Sequence, residues 1–168
     1  MFHRIIVPLD GTPQSWKAAK VGAIVAEGCD AALQLVSVVF DAGDEDRVVD
    51  EMRSGLEVLR GITVEPMVTA LPADRKADET VGGAIARHAE SVNGARLVMS
   101  STGRDPSAAV LGSVADDVLR AMLGPIDVVG PVVEEFESFA GDIVVPVDGS
   151  DFSETSLPLA AAWGIAFD

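Results

Sequence analysis

Cysteine is nearly absent from this chain of 168 residues. Its one copy, Cys29, excludes an intrachain disulfide and supplies no thiolate pair for a metal. Histidine is almost as scarce. His3 precedes the first apolar run and His88 falls in a helical stretch, so neither is placed to act as a general base. Basic residues number 12 against 27 acidic ones, a net charge of −15. That balance disfavours a nucleic-acid backbone or an anionic membrane as partner. It also repels a nucleotide at long range, so any such site must be built locally from backbone N–H groups and helix ends. No apolar run is long enough to span a bilayer, because charges, Gly and Pro interrupt each one. The start, Met1-Phe2-His3-Arg4, leads directly into a strand pattern, and no signal peptide is expected. These absences together favour a cytoplasmic location.

What is present is a core and a repeat. Hydrophobic residues make up 48% of the chain. Ile5-Ile6-Val7-Pro8-Leu9-Asp10-Gly11-Thr12 returns as Ile143-Val144-Val145-Pro146-Val147-Asp148-Gly149-Ser150. Over positions 5–15 and 143–153, six of eleven residues are identical and three more are conservative replacements. Each copy is a short apolar run that stops at Asp-Gly-Thr/Ser and turns helical. The pattern reads as a complete domain over 1–132, an acidic linker over 133–141, and the first strand and helix of a second domain over 142–168. One strand and one helix cannot bury their apolar faces alone, so 141–168 is expected to dock, preferably against another copy.

Between the repeats, apolar runs alternate with helical spacing. Strands are expected at 4–9, 33–40, 62–69, 95–101 and 126–129, and helices at 13–27, from 44 through Leu59, around Val81–Val92, and over 110–123. Thr12 is positioned to cap the first helix, with Pro13 behind it. Pro66 falls inside the expected third strand and places that strand at a sheet edge. Asp127 interrupts the last strand and reads as a charge guarding an exposed edge. Strand–helix alternation implies an α/β, doubly wound, five-stranded parallel sheet in the order 3-2-1-4-5. A ligand then belongs beyond the carboxyl ends of strands 1 and 4.

Two loops meet there, Asp10-Gly11-Thr12 and Ser100 to Ser113. The second is rich in small residues and ends at a helix start. Gly112 lets backbone approach an anion, Ser113 adds a hydroxyl, and Arg104 can pair with a phosphate. By spacing alone the loop is either an anion-binding turn or an ordinary strand-to-helix connection. Asp10 can hydrogen-bond a ribose, hold a metal ion, or serve the turn that caps the next helix. Trp16 and Trp163 lie beside alanines and read as packing residues.

The run Val98-Met99-Ser100-Ser101-Thr102-Gly103-Arg104, followed by Leu111-Gly112-Ser113-Val114-Ala115, resembles the signature loop of the universal stress protein family. Val7-Pro8-Leu9-Asp10-Gly11-Thr12 resembles that family's first strand and turn, and Gly124-Pro125-Ile126-Asp127-Val128-Val129 its last strand. The likeness covers nearly all of 1–132, and the repeat matches the family's tandem habit. The resemblance implies an adenine nucleotide alpha hydrolase-like fold. It implies a site for ATP or AMP, with magnesium, contacted by Pro8, Asp10, Gly11, Val38, Met99, Ser100, Gly103, Arg104, Gly112, Ser113 and Val114. It also implies a homodimer through the last strand. The family's pattern is Gly, two residues, Gly, nine residues, Gly-Ser/Thr. Here Ser100 stands at the first Gly, and eight residues separate Gly103 from Gly112. Pro106 removes one donor and Asp105 adds a negative charge. Three functions follow: a binding module acting through dimerisation and partner proteins, a slow ATPase with Asp10 and Ser113 on a magnesium–phosphate unit, or a dimerisation domain with a decayed site. The changes in the loop disfavour the ATPase.

Overall fold

The computed structural model describes residues 2–102, 111–133, 136, 138–139 and 141–167. The chain divides into two compact units, Met1–Phe136 and Glu137–Asp168. The first holds β1 (Arg4–Pro8), α1 (Pro13–Gly28), β2 (Ala32–Val39), α2 (Glu45–Ser54), β3 (Met67–Pro72), α3 (Val81–Ser91), β4 (Ala95–Ser100), α4 (Ser113–Ala121) and β5 (Ile126–Val129). The five strands form one all-parallel sheet in the order β3-β2-β1-β4-β5.

Successive strand residues point to opposite faces, and both faces are covered, which is why the central strands are apolar throughout. On one face Ile6, Val36, Leu97 and Met99 pack with Ile85, Ala89, Ala115 and Val118 from α3 and α4. On the other, α1 lies against β1 and β4. Its buried positions are mostly small, Ser15, Ala18, Ala19, Gly22, Ala23 and Ala26, with Val21 and Val25 the larger ones. A Cβ on Gly22 would sit 2.5 Å from Val7 Cγ2 and 3.5 Å from both Ile5 Cγ2 and Val98 Cβ. The absence of a side chain there sets the separation of helix and sheet. Trp16 packs on α2's end, where a Cβ on Gly55 would lie 2.1 Å from its ring.

Several boundaries differ from the sequence expectation. The third strand does not run over 62–69 with Pro66 inside. It starts at Met67, immediately after the proline, and Pro66 donates to no ladder because it is not in one. The Thr63 N–H is instead held by the Glu27 carboxylate at 3.2 Å. Leu71, beyond the expected strand end at 69, lies in β3 and is buried in the core. β3 is an edge strand all the same, paired only with β2. The second helix ends at Ser54, and Leu56–Leu59 continues as a separate 3₁₀ turn. The fourth helix begins at Ser113, and the part of its expected range at Val110 lies outside the described residues.

Asp127 is not an isolated guard on the edge. Its carboxylate receives two hydrogen bonds from Arg96, the second residue of β4, which is 3% exposed. The register Val98↔Asp127 makes this contact possible. The Phe2 ring lies 4.8 Å from the guanidinium carbon. Burial pushes the nearby Cys29 thiol up, with Arg96 opposing and Asp127 reinforcing that shift. A thiol raised in this way is a poor nucleophile. His88 is pulled below its ordinary value by burial and by Arg4 and Arg87, consistent with a structural histidine.

In the second unit, 143–147 forms no strand among the described residues, contrary to the sequence expectation. The helix is also broken in two, α5 (Asp151–Glu154) and α6 (Ser156–Ala166). A strand exists only as a member of a sheet, and among its described residues this unit has no other strand to offer. Trp163 packs as expected, in an aromatic cluster with Phe139 at 4.7 Å and Phe167 at 5.0 Å between ring centroids. Among the described residues, no helix is long and apolar enough to cross a membrane.

Candidate functional site

The sheet order places β1 beside β4, so the loops leaving both strands emerge at the same carboxyl edge. Pro8 closes β1 and Gly11 makes the turn at φ +79°. A side chain is strained at that angle, and glycine is not. Asp10 Oδ1 accepts from the Thr12 N–H at 3.0 Å and from its hydroxyl at 2.6 Å. Thr12 Oγ1 in turn accepts from the Ser15 N–H and caps α1. Ser15 Oγ donates to the Thr12 carbonyl at 2.9 Å. Burial pushes the Asp10 carboxyl up, but its bonds to Thr12 and Ser15 outweigh that and hold it below the usual carboxylate value. Asp10 is therefore an anion at neutral pH, and both of its Thr12 bonds fall on one oxygen.

The same construction recurs in the second unit. Asp148 Oδ1 accepts from the Ser150 N–H at 2.9 Å, Ser150 Oγ accepts from the Ser153 N–H at 3.2 Å, and Gly149 has φ +83°. The Asp148 carboxyl is lowered to about 2 by its bonds to Ser150 and Ser153.

At the neighbouring strand end Met99 is buried and Ser100 ends β4, opposite Val128 and Val129 of β5. The Gly112 N–H donates to the Ser101 carbonyl at 2.8 Å, which ties the two ends of the connecting loop together. Gly112 stands at the N-cap of α4 and makes no side-chain cap. Ser113 is exposed at the first helical position, and Val114 packs against the core. The first N–H groups of α4 have no intrahelical acceptor and carry the positive end of the helix dipole. Asp116, in the same first turn, is tied to Arg120 at 2.9 Å, which offsets its charge. Val38 lies near the end of β2, half-buried against the core and paired with Leu71. Gly103 and Arg104 lie outside the described residues.

The structure thus brings Pro8, Asp10, Gly11, Met99, Ser100, Gly112, Ser113 and Val114 to one edge, with Val38 on the neighbouring strand. Sequence reasoning passed over Ser101 and Thr102. Thr102 is 4% exposed, and both side-chain hydroxyls are buried with no hydrogen-bond partner among the described residues. Two small hydroxyl residues at a strand end were the available signal. It also passed over Phe40 and Arg75, whose side chains meet just beyond β2. Among the described residues, no group of three or more His, Cys, Asp or Glu side chains could hold a metal ion.

No protein-family model matches the sequence, and no curated protein matches it. Solved structures do match. A universal stress protein in complex with cAMP superposes with a TM-score of 0.61 at 18% identity, over 77% of this chain and 98% of that one. A universal stress protein from Archaeoglobus fulgidus in complex with dAMP gives 0.57 at 16% identity, over 76% of this chain and 97% of that one. Another universal stress protein from Archaeoglobus fulgidus gives 0.60 at 22% identity, over 77% of this chain but only 46% of that one. The five-stranded layer of this chain has the fold of universal stress protein structures, the adenine nucleotide alpha hydrolase-like arrangement.

Proposed function

We propose that this chain is a stress-response module of the universal stress protein family. In this reading it binds an adenine nucleotide, AMP-type or ATP, at the carboxyl edge of β1 and β4. The observation that carries the reading is the pairing of β1 with β4, which puts the Asp10–Thr12 turn and the N-terminus of α4 at the same carboxyl edge of the sheet. In a chain of charge −15, these are the groups that can still receive an anion. The N–H groups of α4 and the Ser113 hydroxyl would hold phosphate, Asp10 would face the ribose, and the backbone at Val38 the base. A magnesium ion accompanying ATP would meet Ser113 and Asp10. The cAMP and dAMP complexes of proteins with this fold support an AMP-sized ligand.

The module acts in the cytoplasm by binding rather than by catalysis, through a homodimer formed along β5 and through partner proteins. β5 pairs only with β4, and Val128 is 41% exposed, so this edge has backbone and apolar surface to offer a second copy. Sedimentation velocity should show a dimer at high micromolar concentration, and a monomer there would remove this part of the reading. Residues 142–168 are the start of a second domain of the same type. The duplicated turn supports this, as does the solved relative of which the match covers less than half.

A ligand bound only by the folded state raises the melting temperature. AMP or cAMP at a hundredfold excess over Kd should raise it by about 5–10 °C. Gly112→Val should remove the shift, because a branched side chain would stand where backbone must approach the phosphate. A variant that responds as the parent does would place the ligand elsewhere.

A further inference from the structure

The carboxyl edge of the sheet continues from β1 to β2 and β3. β2 ends at Val39, and Phe40 follows, 44% exposed. Arg75, in the turn after β3, lays its guanidinium carbon 5.7 Å from the centroid of the Phe40 ring. Its Nη2 donates to Asp41 Oδ2 at 3.0 Å. The two segments are adjacent because β2 and β3 pair to their ends, with Val39 opposite Pro72, and because the Ala73 N–H donates to the Val39 carbonyl at 2.9 Å. Phe40 therefore follows the last paired residues of β2 at the carboxyl edge, two residues beyond Val38. At about 3.3 Å per extended residue, it lies roughly one base length farther out.

A single exposed aromatic is ordinary. This one differs in its company and its place. A cation stands over the ring, and the cation also pairs with the next residue, so ring and guanidinium lie side by side. Both are flat surfaces of the kind on which nucleobases stack, and an aromatic ring with a guanidinium beside it is a base platform of low sequence demand. The Asp41 and Arg75 side chains are 66% and 60% exposed, so their pair leaves the guanidinium open to a further contact.

We propose that Phe40 and Arg75 form the outer wall of the site and stack the base of the bound nucleotide. The inference rests on the nucleotide reading above and adds to it a residue pair that selects a ligand with a base over a bare sugar phosphate. Phosphate recognition then belongs to α4, and base recognition to the end of β2 and the turn after β3.

Isothermal titration of the full chain with AMP and with ribose 5-phosphate tests this. Phe40→Ala should weaken AMP binding about tenfold and leave ribose 5-phosphate unchanged, since that ligand has nothing to stack. Phe40→Leu keeps apolar bulk without a π-face and should behave like Phe40→Ala, whereas Phe40→Tyr should retain parental affinity. If the parent and Phe40→Ala bind AMP equally, the stacking wall is wrong and the nucleotide site stands. If both ligands weaken together, Phe40 is a structural support and the inference fails. If the parent binds neither ligand, the nucleotide reading falls and takes this one with it.

Discussion

Replacing Asp127 by alanine is expected to destabilise the Met1–Phe136 unit by about 2–3 kcal/mol, because it removes the carboxylate that accepts two charge-assisted hydrogen bonds from the buried Arg96 guanidinium. The Arg96 side chain is 4% exposed and that of Asp127 20%, so the guanidinium cannot turn to water once the carboxylate is gone. The Phe2 ring beside it offers a quadrupole, which does not replace the carboxylate's two hydrogen bonds. The midpoint of urea denaturation measures the loss. A change below about 1 kcal/mol would place the pair in the class of solvent-screened surface bridges and refute its burial. The double variant Arg96→Met with Asp127→Leu should recover most of the loss, because it removes both charges and keeps the volume. That recovery separates an electrostatic penalty from simple damage to β5.

Gly22→Val should cost about 3 kcal/mol, the upper range for forcing methyl groups into a packed core. The atoms in the way are the branched side chains of Val7 and Ile5, both wholly buried, and Val98 Cβ. None can rotate aside into empty space. α1 must back away from the sheet, and Thr12 and Ser15, which hold the Asp10 turn, move with it. Nucleotide affinity should therefore fall together with the melting temperature. An unchanged urea midpoint would show that the helix is not seated at this distance. Gly22→Ala makes the same test at a smaller size and should fall between the parent and valine.

The sheet order could be read from the sequence because strand and helix periods alternate cleanly and parallel crossovers leave few topologies. The Asp10 turn could be read for a related reason: its hydrogen bonds run between residues two to five apart, so a short motif contains all its partners. Properties that depend on register were not accessible in this way. Asp127 looked like a lone charge in an apolar strand, and its partner Arg96 lies in a different strand at a place fixed only by how β4 and β5 align. Phe40 and Arg75 are likewise joined only through the β2–β3 pairing. Pro66 was misleading because a proline that blocks a strand and a proline that precedes one look alike in one dimension. The apolar run at 143–147 carries the letters of β1 without the neighbours that made β1 a strand.

The bare Cα of Gly22 also bears on how the two repeats tell themselves apart. A polypeptide that carries its own first strand and helix twice invites counterfeits, since the later copy can compete for the earlier one's berth during folding. Matched position by position, the later copy has Ala160 where the first has Gly22, Leu157 where it has Ala19, and Trp163 where it has Val25. All three places in the first unit are fully inward, and two of them are closed to any solvent at all. The strand of the second copy would pass inspection and its helix would not. The inward places filled by Ala19 and Val25 thus have no room for the bulk of Leu157 and Trp163, although the second copy repeats the backbone turn almost bond for bond.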